Sequence, residues 1–126
     1  MQAIALVFLG AGFGGVCRHL LGMAAARAFG LAFPWGTLLI NVTGSLAMGL
    51  LVGWMALRPD GASQNLRLFL ATGVLGGYTT FSTFSLEAVL LWQRGDFAAA
   101  MAYVLGSLIC GVAGLAVGLV MMRSLA

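Results

Sequence analysis

Residues 35–57 and 98–122 contain no charged side chain at all. Apolar runs of that length match the roughly 20 residues a helix needs to cross a bilayer core. Two more runs, 3–26 and 68–92, are interrupted only by Arg18 and Glu87, and the four together take up most of the 126 residues. The chain is 7% charged, against about 25% in soluble globular domains, so it cannot cover itself with a water-facing surface. Inside lipid, backbone groups must satisfy one another, and long runs without alternation do not suit a membrane β-barrel. The expected fold is an all-α membrane protein, a single transmembrane domain over residues 1–126 with spans near 3–26, 35–57, 68–92 and 98–122. A soluble enzyme and a disordered linker are both excluded, and the chain is not expected to be an enzyme.

The charges fit this reading. Six arginines, with no lysine, stand against Asp60, Glu87 and Asp96, for a net charge of +3. The arginines are scattered singly, so no basic run suggests nucleic acid as a partner; loops and helix ends beside lipid headgroups suit them better. Cys17 and Cys110 lie inside apolar runs, neither belongs to a CxxC pair, and His19 is the only histidine. That is no zinc set, and both thiols are expected to act as small buried hydrophobes. Ala24-Ala25-Ala26 mildly resembles a cleavage site, but no positive residue precedes the first run and Arg18 interrupts it, so this segment reads as a retained first span.

The connections carry matching punctuation. Pro34 is expected at the first helical position of span two, Arg58-Pro59-Asp60-Gly61 as a turn, Ser63 or Asn65 as the cap of span three, and Asp96 as the cap of span four. Small residues recur at four-residue spacing: Gly106, Cys110, Gly114 and Gly118; Ser45, Gly49 and Gly53; Gly10 and Gly14. Such stripes let membrane helices approach closely. Arg58, Arg67 and Arg123 fall on one side of a four-span topology, with Arg27, Arg94 and the deep Arg18 toward the other. This leaves almost no positive-inside bias and allows insertion in both directions.

Polar groups inside the spans mark where function is expected. Thr37, Asn41 and Ser45 follow at i, i+4 and i+8, along one helical face. Asn41 reads either as interhelical glue or as an amide donor to something passing through. Span three contains Gly76-Gly77-Tyr78-Thr79-Thr80-Phe81-Ser82-Thr83-Phe84-Ser85. Paired glycines followed by paired threonines disfavour a continuous helix. A break at membrane depth is tolerated where it is buried or lines a wet cavity, and its freed groups can meet ions. Phe81 and Phe84 share a face, and phenyl edges carry partial positive charge. Tyr103 and Ser107 are again i, i+4; Tyr103 reads either as an interfacial anchor or as a hydroxyl donor at a pore mouth. Glu87, one turn past Phe84, is expected to reach water or an arginine, with proton coupling a lesser reading.

Thr79-Thr80-Phe81-Ser82-Thr83-Phe84 after Gly76-Gly77 resembles the signature of the CrcB/Fluc fluoride channels. Gly36-Thr37-Leu38-Leu39-Ile40-Asn41-Val42-Thr43-Gly44 resembles that family's second-helix motif, and Gly14-Gly15-Val16-Cys17-Arg18 its first. The likeness spans essentially the whole chain. It implies an antiparallel, dual-topology homodimer in the bacterial inner membrane, with the third helix broken mid-membrane and two pores that passively export cytoplasmic fluoride. It implies a fluoride pathway lined by Asn41, Phe81, Phe84, Ser82, Thr83, Tyr103 and Ser107, and Arg18 at an aqueous vestibule. It also implies a structural Na+ on the dimer axis, held by the main-chain carbonyls of Gly76 and Thr79. A small proton-coupled exporter of similar size needs a carboxylate in the first span, and residues 1–26 have none. A non-conducting scaffold leaves the Asn41 face and the broken helix without purpose.

Overall fold

A computed structural model describes residues 1–58 and 61–125. The order is α1 (Gln2–Phe29), α2 (Trp35–Ala56), a third segment made of α3 (Gln64–Arg67), a π-helical stretch (Leu68–Leu75) and α4 (Gly76–Tyr78), then α5 (Phe81–Gln93) and α6 (Phe97–Arg123). Taking Gln64–Gln93 together, four helices are long and apolar enough to cross a membrane. The described residues contain no strand.

The helix ends follow from local chemistry. Ser63 Oγ accepts from the Leu66 N–H at 3.3 Å, and Asp96 Oδ1 accepts from the Ala99 N–H at 3.3 Å, each satisfying one orphan donor of a first turn. Gly95, at φ +80°, turns the chain between α5 and α6, and its N–H meets the Trp92 carbonyl at 3.0 Å. Pro34 stands one residue earlier than expected: its ψ of 61° is not helical, and it serves as the N-cap of α2, its carbonyl accepting from the Leu38 N–H at 3.2 Å. Of the expected 58–61 turn, Pro59 and Asp60 lie outside the described residues; the Gly61 N–H bonds the Arg58 carbonyl at 3.0 Å.

Two packed pairs make up the body: α2 lies along α6, and α1 lies along the π-helical stretch and α4. Both contacts run through glycine. A Cβ on Gly10 would come within 2.6 Å of the Phe69 carbonyl oxygen, and one on Gly14 would strike the Val74 carbonyl. On the other pair, Gly49 faces Leu115, Gly53 faces Met122, and Gly118 faces Leu46 and Leu50. The expected α6 stripe is corrected. Gly106 meets nothing within 4 Å and Cys110 is exposed, while Gly111, Gly114 and Gly118 face α2. A strict four-residue step drifts about 40° per repeat at 3.6 residues per turn, whereas mixed steps of three and four hold one face. Cys110 lies off the packed face and is exposed on the single chain, and Cys17 is half-buried, so neither thiol is enclosed within one subunit.

Little is buried within one chain. Leu91, Ala100 and Tyr103 form the core cluster, with Phe33, Leu38, Phe84 and Ala88 packed on it. Large apolar side chains such as Phe8, Phe13 and Val112 face outward along the helices, as lipid or protein surroundings require. Aromatic rings gather at the ends: Phe33 on Trp35 with centroids 4.8 Å apart, Trp92 on Phe97 at 4.5 Å, and Arg58 stacked 4.0 Å over Trp54. This is the belt expected at headgroup depth.

Candidate functional site

The break in the third segment falls on Thr79 and Thr80, both extended (φ −79°, ψ 159° and φ −151°, ψ 121°). The paired glycines before them are helical. Gly77 earns its place by packing instead, since a Cβ there would run into the Ala11 backbone. Side chains hold the break open. Asn41 Nδ2 donates to the Thr80 carbonyl at 2.9 Å, and the Thr80 N–H donates to Asn41 Oδ1 at 2.9 Å. The reciprocal pair replaces ladder bonds that a continuous helix would have made. Thr79 Oγ1 bonds back to the Leu75 carbonyl at 3.0 Å, and Thr80 Oγ1 caps α5 by accepting from the Thr83 N–H at 3.3 Å.

Two consequences follow for main-chain carbonyls. The Gly76 oxygen loses the i+4 donor of a continuous helix, because the Thr80 N–H has turned to Asn41. The Thr79 oxygen is also off the ladder and accepts from Arg18 Nη1 at 3.3 Å. Two freed carbonyls suit a hard, oxygen-seeking cation, and the second lone pair of Thr79 stays free beside Arg18. Two oxygens from one chain are an incomplete shell.

Two cavities meet at the break. One, of about 760 Å³, takes Arg18, Thr37, Thr80, Thr83, Glu87 and Arg94 among its walls. The other, of about 510 Å³, is a groove between α2, α5 and α6. Asn41, Phe81, Phe84 and Ser107 all face it, and none of its lining residues is charged. Thr80 lines both. The two phenyl rings are tilted, with centroids 5.6 Å apart. Phe84 rests on Tyr103 at 5.2 Å, while Phe81 is 79% exposed on the single chain. Ser82 lines neither cavity; its Oγ sits 3.5 Å from Thr80 Oγ1. Ser107 Oγ is buried in the protein without a hydrogen-bond partner, which costs about 1–3 kcal/mol unless something accepts from it.

For two side chains the structure chooses among the readings that the sequence left open. Tyr103 is no interfacial anchor: it is fully buried, touches neither cavity, and donates to Glu87 Oε2 at 2.7 Å. Glu87 pairs with hydroxyls rather than with an arginine, taking Thr37 Oγ1 on Oε1 at 3.0 Å as well. The carboxylate thus ties α2, α5 and α6 together beside Phe84, which explains how a glutamate is tolerated there. Thr37 was legible on the Asn41 face, but its partner was not, because only the crossing of α2 over α5 brings them together. Thr80 was missed as a separate actor. Its N-cap position ahead of a helical phenylalanine pair was the available signal.

Comparison with known proteins adds to this geometry. A family model described as "CrcB-like protein, Camphor Resistance (CrcB)" matches residues 5–119. The chain belongs to the CrcB family. Among curated CrcB relatives, a protein of Methylobacterium nodulans is 60% identical over 118 residues, covering 94% of each chain, and is named fluoride-specific ion channel FluC. A protein of the same name from Methylobacterium sp. (strain 4-46) is 57% identical over 118 residues, again 94% of each chain. A third, from Novosphingobium aromaticivorans, is 51% identical over 128 residues and covers both chains completely.

Proposed function

We propose that this CrcB-family chain is the subunit of a fluoride channel, which lets cytoplasmic fluoride leave passively across the bacterial inner membrane and so relieves its toxicity. The observation that carries the reading is the groove in which Phe81, Phe84, Asn41 and Ser107 face one space free of charged side chains. Fluoride is small and strongly hydrated. It enters only where donors replace its water, and it leaves quickly only where none of them holds it tightly. Phenyl edges, an amide N–H and a hydroxyl meet both conditions. Asn41 retains one N–H after pairing with Thr80, so it serves as clamp and donor together. The cavity beside Arg18, with Thr83 in its wall, is the vestibule that draws the anion in. Tyr103 acts from behind the pathway, positioning Phe84 and Glu87.

The working unit is an antiparallel homodimer with two pores. Supporting this are the near-absent arginine bias and the exposure of Phe81, which a second copy would cover. The freed carbonyls of Gly76 and Thr79 from both copies would hold a structural Na+. When bound, it supplies background positive potential and rigidity at the dimer centre. The test is fluoride-electrode efflux from proteoliposomes, with chloride and a pH gradient as controls. Rapid fluoride release, no chloride release and indifference to the gradient are expected. Absence of fluoride release, or release only under the gradient, would overturn the reading.

A further inference from the structure

Along α6 the groove is lined by Val104, Ser107, Leu108, Gly111, Val112 and Leu115. Hydroxyls therefore stop at Ser107, while the groove continues past it to Met48 and Leu115. An anion leaving Ser107 along α6 alone would meet only glycine and aliphatic side chains. Across the groove, α2 presents Ser45 one turn beyond Asn41, and Ser45 lines the same cavity. Gly111 stands opposite it on α6: a Cβ built there would make an ordinary contact with Ser45 Oγ, at 3.7 Å.

The Ser45 hydroxyl is also uncommitted. Helical hydroxyls commonly bond back to the carbonyl one turn earlier. Thr43, Thr79 and Ser85 all do so here, at 2.6, 3.0 and 2.9 Å. No such bond occupies Ser45 among the described residues, and the Ser107 hydroxyl nearby on α6 is buried and unpartnered. Two unpaired hydroxyls on facing helices, separated by a glycine, form a donor pair in otherwise apolar walls.

We infer that Ser45 and Ser107 together form a second anion station, beyond the phenylalanine pair, at which the polar lining crosses from α6 to α2 over Gly111. The inference rests on the fluoride-channel reading and adds Ser45 as a group that contacts the ion. Its ligand is a small, hard monovalent anion, because two O–H donors and no cation hold such an ion without trapping it.

The test is initial fluoride efflux from proteoliposomes for the parent, Ser45→Ala and Ser45→Thr, each shown by gel filtration to be the same assembly. Losing one hydrogen bond to a charged group slows the alanine variant by about tenfold, and threonine, which keeps the hydroxyl, restores the parent rate. Parent-like efflux in Ser45→Ala overturns the proposal. So does equal slowing in both variants, which would mark Ser45 as a packing residue. Should Ser45→Ala not assemble, Ser45→Cys takes its place: slowed efflux supports the station, and an unchanged rate sinks it. A parent protein that releases no fluoride refutes the channel reading itself, an outcome distinct from any of these.

Discussion

Asn41→Asp separates clamp from conduction. The substitution keeps size and shape but replaces Nδ2 by a carboxylate oxygen. The Thr80 N–H still reaches Oδ1, now as a stronger, charge-assisted bond. The opposite contact, 2.9 Å from Nδ2 to the Thr80 carbonyl, turns from a hydrogen bond into two facing acceptors. Leaving that carbonyl unpaired costs about 1–3 kcal/mol, partly offset on the other side, so the variant is expected to fold. The effect on an anion is larger. The groove otherwise holds no charge, and a carboxylate about 4 Å from a monovalent anion, at an effective dielectric of about 20, repels it by about 4 kcal/mol. That is roughly a thousandfold in occupancy, at 1.4 kcal/mol per tenfold. The assay is initial fluoride efflux from proteoliposomes holding equal amounts of parent and variant, with gel filtration confirming the same assembly. A folded Asn41→Asp protein with parent-like efflux would refute the reasoning, leaving Asn41 as interhelical glue and the pathway elsewhere.

Three further outcomes are expected. Phe81→Ile and Phe84→Ile keep the assembly intact but lose the positive ring edges, slowing fluoride efflux by about tenfold each; normal rates in both would remove the phenyl rings from the pathway. Gly14→Ala drives a methyl into the Val74 carbonyl and lowers stability by about 1–3 kcal/mol, read as earlier thermal unfolding in detergent. Gly106→Ala, with nothing within 4 Å, serves as the control, and equal behaviour of the two would contradict the packing described for α1. Labelling of tags at both termini in intact cells should find each on both sides of the membrane, since the arginines give almost no directional bias; a single orientation would exclude the antiparallel assembly.

Much of the site was visible in the residues, and the failures have a common cause. The break in the third span was readable because glycine and threonine pairs are poor helix formers. Its position was not: the glycines stay helical, and the chain opens at Thr79 and Thr80, where Asn41, 39 residues away, takes over the backbone bonds of Thr80. The π-helical course of Leu68–Leu75 left no mark in a run of ordinary apolar residues. Tyr103 remained ambiguous between interface and pore until its hydroxyl was found on Glu87. On α6, spacing alone chose the stripe through Cys110, while contact with α2 uses Gly111, Gly114 and Gly118.

Local and one-dimensional properties were settled by the chain itself: four spans, the cap at Asp96, the weak point in the third, and the neutral donors grouped around it. These depend on hydropathy, backbone propensity and spacing, which neighbours in sequence control. Tertiary structure alone decided which donors keep a free hydrogen and which spend it on the protein. Asn41 divides its amide between Thr80 and the groove, Tyr103 commits its hydroxyl to Glu87, and Ser107 keeps its own. A hydrogen bond is formed by whichever partner lies within about 3 Å, and that partner is fixed by how helices distant in sequence cross.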